Sequence, residues 1–234
     1  MSERVLQILI QAFPKILIPC IKVTIPLTIC SFILGLILAL FLAIVQIANI
    51  RGLKQFARFY IWIFRGTPLL VQLFIVFFGL PSLGIMLDAF PSAVIAFSLN
   101  LAAYNAEVIR SAILAVPAGQ TEAALMVGLS YPQLMAKIVL PQAGRIAFPP
   151  LFNSLIGLTK DTSLASSITL IEMFSVAQQV AARYYERFAL YCEAAVIYLL
   201  ICTLLTWLQA TVEKKLTWVK PVETEEENAQ NITD

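Results

Sequence analysis

The sequence predicts an all-α membrane protein of about five transmembrane helices, and three observations carry that reading. Of the 234 residues, 60% are hydrophobic and only 13% charged, with a mean hydropathy of +0.86. An average soluble domain is about 45–50% apolar and about 25% charged, so this chain has too little polar surface to cover itself in water. The apolar residues fall in runs long enough, in helix, to cross a hydrocarbon core about 30 Å thick, which takes roughly 20 residues. Lysine and arginine also divide unequally between the two sets of segments that join those runs, nine against five.

In chain order, the expected spans cover residues 16–48, 56–80, 91–115, 148–176 and 188–212. The first is too long for a signal-peptide core and no small-residue cleavage site follows it, so it is read as a mature span. Ahead of it, Val5, Leu6, Leu9, Ile10 and Phe13 alternate with Arg4, Gln7 and Gln11 in the pattern of a helix lying on the outer membrane face. The second span contains Pro68, which has no N–H to give the carbonyl of Phe64, and a kink is expected there. Lys54, Arg58 and Arg65 share one helical face, which leaves open that residues 54–64 lie along the interface and the span starts near Gly66. Arg65 is taken as structural or gating. The membrane body is one domain over 1–212, and a charged tail occupies 213–234.

The richer side of the charge count holds Arg51, Lys54, Arg58, Arg110, Lys137, Arg145, Lys214, Lys215 and Lys220. By the positive-inside rule it is cytoplasmic, which leaves the N-terminus outside and the C-terminus inside. A net charge of +2 supplies no field for nucleic acid. The chain lacks histidine, and Cys20, Cys30, Cys192 and Cys202 lie in apolar runs without ligand spacing, so neither a metal nor a cofactor site is expected.

The long cytoplasmic segment, 117–145, predicts two short helices. Pro117 and Gly119 end the third span, Thr121 caps a helix with Glu122 in its first turn, and Gly128 closes it. Ser130 and Pro132 open a second helix, which stops at Pro141. Glu122-Ala123-Ala124, Gly128, Ile138 and Leu140-Pro141 together resemble the EAA coupling loop of ATP-binding-cassette (type I ABC) importer permeases. Phe64-Arg65-Gly66-Thr67-Pro68-Leu69-Leu70-Val71-Gln72, Leu140-Pro141-Gln142-Ala143 and Lys160-Asp161-Thr162-Ser163-Leu164 are similar to signatures of the polar amino acid permeases. Leu80-Pro81, Leu87-Asp88 and Pro91-Ser92-Ala93 look most like the L-cystine branch.

The resemblance implies a multi-pass permease subunit in a bacterial inner membrane, with no catalysis of its own. It pairs with itself or a paralogue, docks on two copies of an ABC ATPase that binds ATP and Mg, and receives a polar amino acid from an extracytoplasmic binding protein. The absence of a G-x-x-x-x-G-K-[ST] loop fits a separate ATPase. Glu122, Ala123, Ala124, Gly128 and Pro141 are the expected ATPase-coupling residues.

Polar residues inside the membrane are the expected substrate ligands, because they are costly there and face protein or water. Asn153, Gly157, Lys160 and Leu164 fall on one stripe of a helix, with Thr159, Thr162, Ser163 and Ser166 beside it. Lys160 would meet a carboxylate and Asp161 an ammonium, and Asn100 in the third span lines the same path. The candidate ligands are therefore Asn100, Asn153, Lys160, Asp161, Thr162 and Ser163. Interhelical packing explains the same residues equally well. Glu107 and Arg110, one turn apart, read as a local ion pair. A secondary transporter or channel using Asp161 and Lys160 without an ATPase is the alternative, as is a non-transporting anchor. The transporter or channel leaves the loop's spacing unexplained, and an anchor would not need a Lys-Asp pair in mid-membrane; other polar or charged amino acids are the alternatives for the cargo.

Overall fold

The computed structural model describes residues 3–48 and 50–216, and all its regular elements are helical. Glu3–Pro19 (α1) continues through a π turn at Cys20–Thr24 into Ile25–Ala48 (α2) as one helix of 46 residues. At about 1.5 Å per residue this is roughly 70 Å, over twice the hydrocarbon core. Pro26 has no N–H for the carbonyl of Lys22, and the wide turn, closed by the Ile25 N–H on Cys20 O, takes up that gap. Ile8, Ala12 and Ile16, four residues apart, are buried among Met173, Ala177, Leu190 and Ile197. The N-terminal segment is therefore an extension of the first span docked on the C-terminal helices, and not a separate surface helix.

The centre of the molecule is the contact of α2 with Ala89–Leu114 (α5), the third expected span. Ser31, Gly35, Ala39 and Ala43 present a four-residue repeat of small buried side chains, and Ser98, Ala102 and Ala106 answer it from α5. Small residues let helix backbones approach closely in a membrane. A Cβ at Gly35 would lie 2.6 Å from Leu101 Cδ2 and 3.0 Å from Ser98 O, so glycine is required there. Ser98 Oγ donates to Ser31 O at 3.1 Å across the same contact.

The second expected span is broken. Arg51–Gly66 (α3) and Leu69–Phe74 (α4), the latter extended by turns to Leu83, meet at 105° around Thr67 and Pro68. The kink expected at Pro68 is thus a full corner. Among the described residues, three helices are long and apolar enough to cross a membrane, four when the bent pair is counted as one.

Ala118–Met126 (α6) and Tyr131–Leu134 (α7) form the loop. A π turn at Met135–Val139 then leads directly into Leu140–Asp161 (α8). The second loop helix therefore does not stop at Pro141, which occupies the first turn of α8, where a missing N–H costs nothing. The expected fourth span, 148–176, is also divided. After α8 come a 3-10 stretch at Thr162–Ile168, a left-handed Thr169 (φ 65°) and a short non-helical link. Glu172 then caps Met173–Tyr184 (α9), its carboxylate accepting the N–H groups of Phe174 (2.8 Å) and Ser175 (2.6 Å). Arg187–Leu216 (α10) carries the last span past 212 into the expected tail. The rest of that tail, 217–234 with Lys220, lies outside the described residues.

Candidate functional site

The corner between α3 and α4 builds one wall of the site. Pro68 leaves the carbonyl of Phe64 unbonded within the helix, and Gln72 Nε2 reaches back to it at 2.9 Å and to Thr67 O at 3.0 Å. Asn100 of α5 donates to Gln72 Oε1 at 3.0 Å and to Phe64 O at 3.4 Å. A proline-broken membrane helix must have its freed backbone groups satisfied by side chains or water. Here two carboxamides do so.

Against this wall lies a cavity of about 430 Å³, bounded by Thr67 and Pro68 from the corner, Asn100, Tyr104 and Asn105 from α5, and Ser154, Gly157 and Asp161 from α8. Asn100 and Asp161 are the two expected ligands that the fold brings together here. Asn105 and Ser154 were not among the expected ligands. Asn105 is fully buried: its Oδ1 accepts the Ser154 hydroxyl at 2.8 Å, while its Nδ2 has no partner. Asn105 lies behind the cavity surface, so its idle Nδ2 reaches a ligand only when a neighbouring side chain gives way.

The other expected ligands lie elsewhere. Lys160 and Ser163 line a separate cavity of about 510 Å³ against Tyr191 and Tyr198 of α10. Thr162 is fully buried and donates to Thr159 O at 2.7 Å, and Ser163 Oγ is similarly occupied by Lys160 O. Asn153 is exposed and lines neither cavity. Lys160 and Asp161, adjacent in sequence, point into different spaces, and no salt bridge joins them.

A further cavity of about 550 Å³ shares Tyr104, Asn105 and Ser154 with the first and extends along α5 to Glu107, Ser111 and Ala115. The Arg65 guanidinium, which lines this further cavity, lies 5.3 Å from the centre of the Tyr104 ring, a residue common to both spaces. The expected Glu107–Arg110 ion pair is present, the arginine binding the carboxylate through Nε and a terminal nitrogen.

The α6–α7 loop ends α6 as a Schellman turn. Gly128 is left-handed (φ 81°), its N–H bonds Leu125 O at 3.0 Å, and Leu129 N–H bonds Ala124 O at 3.1 Å. Ser130 and Gln133 form a capping box on α7. The helix begins at Ala118, so Thr121 and Glu122 lie inside it and Gly119 belongs to it, in place of the cap and first turn expected there. Glu122 and Ala123 are exposed and Ala124 is buried; Met126 and Val127 project at the tip, 89% and 77% exposed. Among the described residues no three of His, Cys, Asp and Glu gather as a metal set.

Residues 32–218 match the family of binding-protein-dependent transport system inner membrane components. The chain is 49% identical over 207 residues to the L-cystine transport system permease protein TcyB of Bacillus subtilis (strain 168), covering 88% of both chains. It is 40% identical to the arginine transport system permease protein ArtQ of the same organism, over 84% of this chain and 90% of that one. A crystal structure of an amino acid ABC transporter with histidines superimposes at a TM-score of 0.85 with 32% identity, covering 92% of this chain and all of the other. An inward-facing MetNI methionine ABC transporter structure shares the fold at a TM-score of 0.68 and 20% identity.

Proposed function

This chain belongs to the family of binding-protein-dependent transport system inner membrane components, and on that premise we propose that it passes a polar amino acid, L-cystine in particular, through the cavity at Asp161. It is the non-catalytic, multi-pass inner membrane permease of an amino acid ABC importer, and ATP is bound by its partner ATPase subunits.

The observation that carries the substrate reading is the pairing of opposite chemistries in one cavity. Asp161 offers an acceptor for an ammonium, and the idle Nδ2 of Asn105, just behind the wall, becomes a donor to a carboxylate once a neighbouring side chain gives way. An amino acid presents both groups at fixed separation. Asn100 supports the wall through Gln72, and Thr67 and Ser154 add hydroxyls. Lys160 and Ser163, in the neighbouring cavity, and Asn153 and Thr162 stay outside this proposal. The L-cystine assignment rests on the 49% identity to TcyB. The 40% identity to ArtQ, together with a lone carboxylate in the cavity, favours a cationic amino acid as the second reading.

The proposal extends to the assembly. Glu122, Ala123 and Ala124, with Met126 and Val127 at the tip and Gly128 setting the turn, dock on an ATPase subunit; Pro141 passes that movement into α8. Two ATPase copies serve two permeases, self-paired or paralogous, and an extracytoplasmic binding protein delivers the cargo. The N-terminus is outside and the C-terminus cytoplasmic, as the nine-to-five charge count supports. The body comprises 1–212 and the tail 213–234.

The test is uptake of labelled L-cystine by vesicles holding the permease, its ATPase and its binding protein. Asp161→Asn is expected to raise the half-saturating cystine concentration about tenfold or more, the scale of a lost charged hydrogen bond of about 1.5–3 kcal/mol. Unchanged half-saturation removes Asp161 from the site, and uptake competed by arginine but not by other amino acids selects the cationic reading.

A further inference from the structure

We propose that the basic basin between α2, α3 and α5 binds the phosphate group of an anionic phospholipid. It consists of two adjoining cavities. One, of about 280 Å³, is lined by Gln46, Lys54, Arg58, Glu107 and Arg110. The other, of about 590 Å³, shares Gln46, Arg58 and Glu107 and adds Trp62 and Arg65.

Charge decides the class of ligand. Leaving Lys54 aside, Arg58, Arg65 and Arg110 set three positive charges against the one lining carboxylate, Glu107, a net of +2 (3 − 1). Glu107 is already engaged by Arg110 through two nitrogens, so the basin offers no idle acceptor to an ammonium. It offers donors. Besides the cations, the Nε2 of Gln46 is buried without a hydrogen-bond partner. A phosphodiester is anionic and accepts only through its non-bridging oxygens, and it matches this set where a zwitterion does not.

Position favours a lipid as its carrier. Gln46 lies in the last turn of α2, Lys54 in the first turn of α3 and Arg110 in the last turns of α5, so the basin is at one end of the bundle. The face of α3 away from the protein carries Phe56, Phe59 and Trp62, exposed to 67%, 57% and 71%. A helix with a basic side, an apolar side and a tryptophan at their boundary lies at headgroup depth, where basic pockets between helices take anionic headgroups. The headgroup would enter beside Trp62, with its chains against the apolar side. This inference does not depend on which amino acid is carried.

The experiment uses the detergent-purified permease–ATPase complex and three probes: monomeric dihexanoyl phosphatidylglycerol, dihexanoyl phosphatidylcholine and inorganic phosphate, titrated by microscale thermophoresis. Phosphatidylglycerol is expected to bind saturably and at least tenfold more tightly than either other probe. Arg58→Gln is expected to weaken it at least tenfold, Arg58→Lys to retain most of it, and Lys15→Gln, an exposed cation on α1, to change nothing. The charge-keeping variant, and a melting midpoint held by both Arg58 variants, separate loss of the site from loss of the fold. Equal affinity for phosphatidylcholine, or unchanged binding by Arg58→Gln, overturns the proposal. Inorganic phosphate binding as tightly as phosphatidylglycerol overturns the lipid as its source.

Discussion

Asn105 uses one end of its side chain to hold Ser154 and leaves the other without a partner beside the cavity. Replacing it with alanine removes a donor from the cavity and an acceptor from Ser154, whose hydroxyl still donates to Pro150 O at 3.1 Å. Asn105→Ala is therefore expected to raise half-saturation several-fold, on the scale of one hydrogen bond of about 1 kcal/mol, while the melting midpoint in detergent holds. Gly35 behaves oppositely. It touches no ligand, but any side chain there strikes Leu101 and the backbone oxygen of Ser98. Gly35→Leu is expected to destabilise the fold by about 1–3 kcal/mol or more through overpacking, read as a lowered melting midpoint with half-saturation unchanged in what remains folded.

At the scale of elements, the loop turns on one residue conformation. Gly128 is left-handed, and a β-branched side chain there costs about 1–2 kcal/mol. Gly128→Val should leave the complex assembled but lower transport per ATP hydrolysed, and Val127→Asp should do so more strongly by charging the exposed tip. Coupling ratios equal to the unmodified protein would remove the loop from the drive train. The glycine and the Ser130 cap were legible because such residues specify local geometry by themselves. Pro141 was read as a stop because a proline inside an α-helix breaks it, yet after a π turn it begins the next helix. The ligand stripe along α8 and the 3-10 stretch after it shows the deeper reason. Positions 153, 157, 160 and 164 repeat at four, three and four, and the stripe that lines the cavity is Ser154, Gly157, Asp161 and Leu164, at three, four and three. Both fit a helix equally, and only contact with α5 selects between them. Asn105 was missed for the same cause: its direction is fixed by a neighbouring helix that local spacing does not contain.

For the whole molecule, composition gave the membrane, and the runs gave the third and fifth spans within a few residues of the observed helices, whereas the first helix begins 13 residues before its expected start. The two polar ones were displaced, because α3–α4 and α8 are shaped by neighbours that satisfy their broken backbone and cover their polar faces. Sidedness is open to direct measurement. In a cysteine-free background, Met86→Cys, exposed between α4 and α5, is expected to react with an impermeant maleimide in intact spheroplasts. Met126→Cys should react only after permeabilisation, and the reverse result inverts the orientation.

The first helix contributes to packing clusters that share no buried residue. Its α1 half belongs to the cluster of α9 and α10, whereas its α2 half belongs to those built on α5. The surplus residue at Cys20–Thr24 is a phase slip between the halves, pinned from outside where Thr24 Oγ1 accepts the Met173 N–H at 3.2 Å. The two halves are thus one shaft keyed to α9 at mid-length, and a rotation imposed at the Ala48 end is expected to turn the α1 contact with α9 and α10 along with it.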